Sequence, residues 1–126
     1  MSFTQIKNSL KETGSGLKKK SLLEPGQVFD LEKKISYGEG AVVSRTLVNN
    51  DCGTVTLFAF DEGQGLSEHT APFDALVNIV EGESEIVIDG RPNRVCKGQL
   101  ILMPANVPHA LNAVTPFKML LTMLRR

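Results

Sequence analysis

Short apolar segments, separated by glycine, proline, asparagine or aspartate, recur along most of this chain. The segments are rich in β-branched and aromatic side chains, which is typical of strands. They read AVVSRTLV (41–48), TVTLFAF (54–60), ALVNIV (75–80), SEIVI (84–88), LILM (100–103), HALNAV (109–114) and FKMLLTML (117–124). This pattern predicts roughly eight to ten short strands. Because an open antiparallel sheet of this size would expose its edges, we expect a closed barrel or two packed sheets.

Turn residues mark the connections between these segments. Asp89-Gly90 predicts a tight hairpin after SEIVI. The run NNDCG (49–53) predicts a turn between the first two strands, because most of its residues tolerate positive φ or bond their own backbone. Further upstream, a turn is expected at Pro25-Gly26, and a short strand is expected after it from Val28, Phe29 and Leu31.

The beginning of the chain has a different pattern. Phe3, Ile6 and Leu10 recur at helical spacing, so residues 3–12 are expected to form a short amphipathic helix. A Gly-Ser-Gly sequence at 14–16 ends this pattern, and the basic residues that follow it are typical of a connector. We therefore expect an N-terminal arm over residues 1–21 and one compact domain over residues 22–126.

Length and charge argue against several classes of protein. The 126 residues suit a single domain, and Lys plus Arg and Asp plus Glu both number 14, so the formal net charge is zero. No basic field favours nucleic acid or an anionic membrane, and neither is expected as a partner. The chain has no apolar run of membrane-spanning length and no secretory signal pattern, which predicts a cytoplasmic location.

Self-association is expected instead. A net charge near zero does not oppose it, ALVNIV carries apolar residues on both faces, and the arm has no obvious partner within the same molecule. These features predict a homodimer. Cys52 and Cys96 lack a CxxC partner, so they are expected to be buried, reduced thiols rather than a disulfide or a zinc site. The chain carries no Ser-His-Asp signature, phosphate-binding loop or dinucleotide fingerprint.

Two segments carry the only two histidines of the chain. GQGLSEHTAPFDALVNIVEG (63–82) contains His69, and GQLILMPANVPHALN (98–112) contains His109. Each combines a glycine, a polar or proline-rich turn and an apolar strand. The pair resembles the two motifs of the cupin family, whose small β-barrels are built around them. The resemblance implies an all-β fold, a cupin-type antiparallel β-barrel or jelly roll, with the short N-terminal helix or arm outside it.

The first segment keeps half of the family's ligand pattern. In family terms the motif reads G(x)5HxH(x)3–4E(x)6G, and Gly63, His69 and Gly82 match it. Ala71 stands where the second histidine would be, and Ala75 stands where the glutamate would be.

The second segment keeps its histidine. The family motif reads G(x)5PxGxxH(x)3N, and Gly98, Pro104 and His109 match it. Asn106 replaces the inner glycine, which is a mild change because Asn also tolerates the left-handed conformation. Ala113 stands in place of the final asparagine.

The resemblance implies a metal site in which only part of the ligand set is present. In metal-binding cupins the histidines and the glutamate converge inside the barrel, so His69 and His109 are the implied metal ligands. The implied cofactor is a weakly bound divalent metal (Zn, Ni, Cu, Fe or Mn), or none. Glu62, Glu68 and Asp74 are the candidates for a third ligand. Glu68 adjoins His69 and Asp74 adjoins the family's glutamate position, so beside inward-pointing ligands in regular strands both point away from the interior, unless a bulge re-aims them.

The implied site is a mostly apolar pocket at the mouth of the barrel. Its expected residues are His69, Ala71, Ala75, Met103 and His109, and Met103, Met119 and Met123 are expected to line the barrel as core residues. The leading hypothesis is a small-molecule-binding protein with a partial metal site and little catalysis. One alternative is a metal-dependent enzyme of dioxygenase or isomerase type. Another is a dimeric interaction module with a vestigial pocket. No catalytic residue and no particular ligand is assigned by the sequence.

Overall fold

The computed structural model describes residues 23–125 of the chain. The helix expected over residues 3–12, and the arm to which it belongs, lie outside this part. One 3₁₀ turn at Leu31–Lys34 precedes the strands. The strands of the described part are β1 (Val42–Asn50), β2 (Gly53–Phe60), β3 (Gly65–His69), β4 (Phe73–Glu81), β5 (Glu83–Ile88), β6 (Arg91–Cys96), β7 (Leu100–Met103), β8 (His109–Ala113) and β9 (Phe117–Arg125).

The strands form two antiparallel sheets that pack as the two halves of a barrel. The five-stranded sheet has the order β1-β2-β9-β4-β7, and the four-stranded sheet has the order β3-β8-β5-β6. The chain changes sheet several times between β2 and β9, which is why residues far apart in sequence become neighbours. The packed sheets expected from the strand pattern, and the all-β jelly-roll architecture that the resemblance implies, are confirmed for the described residues.

The main core fills the space between the two sheets. Phe60 and Phe117 stack there, with ring centroids 4.5 Å apart and planes nearly parallel at 6°. Burial of such apolar surface is the dominant force that holds the sheets together. The three methionines expected to line the barrel are all buried in this core, at Met103, Met119 and Met123.

The five-stranded sheet also buries part of its outer face. Leu57 and Ala59 alternate with the core residues of β2, and both are fully buried on the side away from the barrel. Leu23, Leu31 and Ile35, which precede β1 in the chain, pack against them. The strand expected over Val28 to Leu31 was therefore a wrong prediction. These apolar residues precede and enter a 3₁₀ turn whose segment serves as a cover for the sheet.

A small polar cluster fastens this cover. The Lys118 ammonium group donates to the backbone carbonyl of Glu32 at 2.6 Å and lies 3.8 Å from the Glu81 carboxylate. The Tyr37 hydroxyl donates to the same carboxylate, and the Lys118 ammonium lies 5.1 Å from the centre of the Tyr37 ring. Buried charge is costly unless it is paired, so these contacts account for the almost complete burial of Lys118.

Two turn predictions have different outcomes. Asp89 and Gly90 both have positive φ, at 52° and 78°, as the expected tight hairpin requires. Strand β1, however, continues to Asn50, so the first hairpin turns at Asp51-Cys52 alone. Cys52 is consequently exposed, and the expectation of buried thiols is wrong for it; Cys96 is partly buried. The described part contains no helix with the length and apolar character that a membrane span requires.

Candidate functional site

The two histidines are brought together by the pairing of β3 with β8. His69 ends β3, His109 begins β8, and the two residues lie directly opposite each other in the ladder. Their ring centroids are 4.5 Å apart, and the rings meet edge to face at 72°. The expected approach of these residues, distant in the sequence, is confirmed.

A bulge in β3 gives His69 this position. Leu66 pairs with Leu111 and His69 pairs with His109, so β3 contains one extra residue between the two pairs. Because directly paired residues share a face of the sheet, His69 lies on the same side as the buried Leu66. Glu68, which a regular strand would place on that side, is exposed instead.

The backbone orients both imidazoles in the same way. The Nδ1 of His69 is hydrogen-bonded to the Ser67 carbonyl, and the Nδ1 of His109 is hydrogen-bonded to the Val107 carbonyl at 2.9 Å. A carbonyl only accepts hydrogen bonds, so each Nδ1 carries the hydrogen and donates it. In a neutral ring the Nε2 is then the acceptor, and both Nε2 atoms are buried. This tautomer is the one that presents Nε2 to a hydrogen-bond donor or to a metal ion.

The surroundings keep His109 in its neutral form. Only 1% of this residue is exposed. Burial is the largest cause that lowers the pKa of His109 below its ordinary value. The hydrogen bond to the Val107 carbonyl opposes this shift, and the nearby His69 adds to it. A neutral ring at physiological pH follows, and such a ring can accept a hydrogen bond or bind a metal.

The three other expected pocket residues lie in the main core. Ala71 and Ala75 are both buried, and Ala75 is flanked by Met103 on β7 and Met123 on β9 in the same row of the sheet. Asn106 donates its backbone N–H to the Ala71 carbonyl at 2.8 Å, which ties the loop before β8 to the loop after β3. At the two positions where the family carries a histidine and a glutamate, this chain therefore presents methyl groups.

The three carboxylates considered as a third ligand do not complete a metal centre. Glu62 and Glu68 are exposed, and one carboxylate oxygen of Asp74 accepts the backbone N–H of Ala105 at 3.0 Å. Within residues 23–125 no group of three or more His, Cys, Asp or Glu side chains is arranged to hold a metal ion. The residues described do not fit the family's four-ligand centre. They provide two imidazole nitrogens.

A shallow groove on the surface is separate from this site. It lies between β6 and β7, has a volume of about 450 Å³ and is lined by Asn93, Arg94, Val95, Gln99, Leu100 and Ile101. None of the five expected pocket residues belongs to it. It carries no titratable pair comparable to the two histidines, so the site described here is the one at His69 and His109.

Sequence reasoning did not identify Ser67 and Val107, whose carbonyls fix the two rings. Both residues stand two positions before a histidine, and each acts through its backbone. No side-chain signal marks such a contact, because every residue type has the same carbonyl.

Comparisons with known proteins agree with the architecture. The family model described as "Cupin domain" matches residues 56–123, which contain both histidines. A conserved protein of unknown function from Streptococcus pyogenes is 41% identical, with 82% of this chain and 91% of that chain covered and a TM-score of 0.78. A cupin superfamily protein from Desulfitobacterium hafniense is 29% identical, with 82% of this chain and 95% of that chain covered and a TM-score of 0.78.

A third solved structure is longer than this chain. The Cupin 2 conserved barrel domain protein from Leptotrichia buccalis is 40% identical, with 77% of this chain but 47% of that chain covered and a TM-score of 0.74. A search of curated proteins found no match. Because the family model spans more than half of the sequence and the fold agrees with its solved relatives, this chain belongs to the cupin family.

Proposed function

We propose that this protein binds a small molecule at the end of the barrel where His69 and His109 meet, and that it has little catalytic activity of its own. The observation that carries the proposal is the paired orientation of the two imidazoles. Their ring centroids are 4.5 Å apart and both Nδ1 atoms are held by backbone carbonyls. Two imidazole rings are thus held next to each other at the edge of an apolar interior.

The chemistry of these groups indicates a class of ligand. Neutral imidazoles with Nδ1 occupied accept hydrogen bonds at Nε2, so the ligand should donate them through hydroxyl or N–H groups. The residues expected around them, Ala71, Ala75 and Met103, are apolar, so the rest of the ligand should be apolar as well. An apolar lining with a few convergent polar groups is the usual composition of a small-molecule site.

Low catalytic activity follows from the same groups. A general acid or base works best when its pKa is near the operating pH, and burial moves the pKa of His109 downwards. The nearest carboxylates along the chain, Glu68 and Asp74, are exposed or engaged with the backbone. The metal-dependent dioxygenase or isomerase alternative would need a further ligand beyond the two imidazoles, because catalytic zinc and non-haem iron sites use three protein ligands.

A weakly bound divalent metal is the second candidate occupant of the site. The tautomer favours it, since both rings present Nε2 and both are oriented from behind by a carbonyl. Two imidazoles suit Ni, Cu or Zn better than Mn or Fe, so the late metals are the ones proposed.

The test is a titration followed by NMR of the imidazole nitrogens. A panel of phenols and aliphatic alcohols is added to protein labelled with ¹⁵N, and the Nε2 resonances of both histidines are followed. The proposal expects at least one hydroxylated compound to shift both Nε2 signals and to lose this effect in His109→Ala. If active compounds instead shift signals of the β6–β7 groove and leave both imidazoles unchanged, the proposal is wrong.

We also propose a homodimer and a cytoplasmic location, and neither is tied to particular site residues. A homodimer is favoured by the zero net charge, which does not oppose self-association. A cytoplasmic location is in keeping with two unpaired thiols, one of them exposed. Sedimentation at micromolar concentration tests the first, since a strictly monomeric protein would contradict it.

A further inference from the structure

A row of mostly apolar side chains, with Thr122 at its centre, crosses the outer face of the five-stranded sheet. Directly paired residues share a face, and the pairs Leu102–Leu76, Leu76–Thr122, Thr122–Val55 and Val55–Val48 connect all five strands. Leu102 is 53% exposed and Val48 is 36% exposed. We call Val48, Val55, Leu76 and Leu102, together with the flanking Leu100 and Leu124, the outer band.

The neighbouring part of the same sheet face is covered, in contrast to the exposed residues of the outer band. Leu57, two residues after Val55 on β2, is fully buried beneath the segment that contains Leu31 and Ile35. Within residues 23–125 Val55 still packs against this covered cluster, whereas Val48 and Leu102 are exposed. Leu100 and Leu124, at 61% and 52% exposed, lie beside the row. Contiguous apolar surface of this kind marks a site where another segment or molecule packs.

The covering segment leads back to the beginning of the chain. Leu23, where the described part starts, packs against the same buried cluster as Val55. The described part therefore begins on the sheet face that carries the outer band. Among the residues before it, Phe3, Ile6 and Leu10 repeat at the spacing of one helical face.

A helix over residues 3–12 has a length that suits the outer band. A helix over residues 3–12 would be about 15 Å long. A row across five strands spans about 19 Å, since neighbouring strands lie about 4.8 Å apart. The connector over residues 13–22 reaches up to about 33 Å when extended, so it allows the helix to lie anywhere on the band.

We propose that residues 3–10 of this chain pack Phe3, Ile6 and Leu10 onto the outer band of the same molecule and so complete the cover of the five-stranded sheet. The tether favours this occupant, because a short linker gives the segment an effective concentration of the order of millimolar. The rival occupants are a second copy that brings its own outer band and a second copy that lends its N-terminal segment.

A double-mutant cycle on the full chain tests the contact. Ile6→Ser and Leu102→Ser are made singly and together, and melting temperatures are compared. Each single change removes the same packed contact and should lower the melting temperature by roughly 5 °C. In the double variant the second change should add little. Gln5→Ser, on the polar face of the same helical pattern, is the matched control and should have no effect.

The results of these measurements show whether the outer band is covered by the chain's own N-terminal segment or by a second copy. Non-additive effects, with contacts between the Phe3 ring and the Leu76 or Leu102 methyl groups in NMR spectra of a singly labelled sample, support the proposal. Strictly additive effects overturn it. A mixed sample of labelled and unlabelled chains reports contacts between molecules. If the Phe3–leucine contacts appear there, or if the coupling disappears on dilution, a second copy occupies the band and the proposal is wrong.

Discussion

His69 lies against His109 because β3 contains one residue more than β8 between the two matched pairs of their ladder. Without that bulge, alternation along the strand would turn Glu68 towards the barrel and His69 towards solvent. The bulge thus decides that an imidazole, and not a carboxylate, stands beside the buried His109. No carboxylate is therefore placed against the apolar core at this point.

The lowered pKa of His109 predicts a stability that depends on pH. In the unfolded chain this histidine takes up a proton near its ordinary value, about 6.5, whereas in the folded protein it does so only at lower pH. As the pH falls below about 6.5 the unfolded state binds the proton more readily, so the free energy of unfolding should decrease. Urea unfolding at pH 7.5 and pH 5.5 measures this effect.

The control for that experiment is His109→Gln, which cannot titrate. Other groups contribute to the pH dependence of both proteins, so the difference between them isolates His109. The wild type should lose more stability than the variant between the two pH values. Equal losses would mean that His109 has an unshifted pKa.

Two motif glycines should respond differently to the same substitution. Gly98 has φ of 84° with nothing within 4 Å of an added Cβ, so Gly98→Ala should cost only the left-handed strain, about 1–2 kcal/mol. Gly82 has φ of 79°, and its Cβ would lie 2.1 Å from the Pro116 carbonyl oxygen and 2.8 Å from the Phe117 Cα. These are backbone atoms, so Gly82→Ala should cost about 4 kcal/mol or more. Chemical denaturation of both variants gives the comparison, and similar costs would contradict it.

The fold could be predicted because its signals are local. The β-branched and aromatic residues of TVTLFAF and the Asp89-Gly90 turn each specify structure within a few residues, and both agree with the structure. The positions of His69 and His109 in the two motifs also predicted their meeting. The prediction failed at Val28 to Leu31, because a short apolar run does not by itself specify a strand. Leu31 enters a 3₁₀ turn and packs on the sheet, whereas Val28 is 95% exposed.

The details of the site could not be predicted in the same way. The extra residue in β3 leaves no mark in the sequence, since neither Ser67 nor Glu68 is a residue that only a bulge accommodates. The carbonyls that orient the rings belong to the backbone. The sequence did indicate that two metal ligands are missing, because Ala71 and Ala75 occupy ligand positions of the family. The structure places both alanines in the core.

Tyr37 is the only tyrosine, so its titration can be followed without interference. Burial first, and then the hydrogen bond to Glu81 and the negative charges of Glu81 and Glu32, raise the pKa of this phenol well above its ordinary value. The rise in absorbance near 295 nm, which marks tyrosinate, should therefore occur only above about pH 10. Because the folded pKa is the raised one, the associated stability is present below about pH 10 and is lost above it.

The variant Glu81→Gln tests the cause. It removes the negative charge that disfavours tyrosinate while keeping an acceptor of similar size, so the absorbance change should move to lower pH. Half-titration of folded wild-type protein near pH 10, or an unchanged curve in the variant, would show that the Tyr37–Glu81 contact does not persist in solution.

The last prediction rebuilds the metal ligands that this chain lacks. Wild-type protein should bind Ni²⁺, Cu²⁺ or Zn²⁺ weakly, through two imidazoles, and His109→Ala should abolish that binding. Protons compete for the same nitrogens, so the affinity should fall as the pH is lowered. Ala71→His with Ala75→Glu restores the family's set of metal ligands, and calorimetric titration should show a metal affinity higher by orders of magnitude.

The larger side chain at position 75 must fit between Met103 and Met123, so the double variant should also be less stable without metal. The matched control is Ala71→His with Ala75→Gln, which adds nearly the same volume but no carboxylate and should gain much less affinity. Tight stoichiometric binding by the wild type would contradict the two-ligand site and would favour the metal-dependent enzyme over the binding protein.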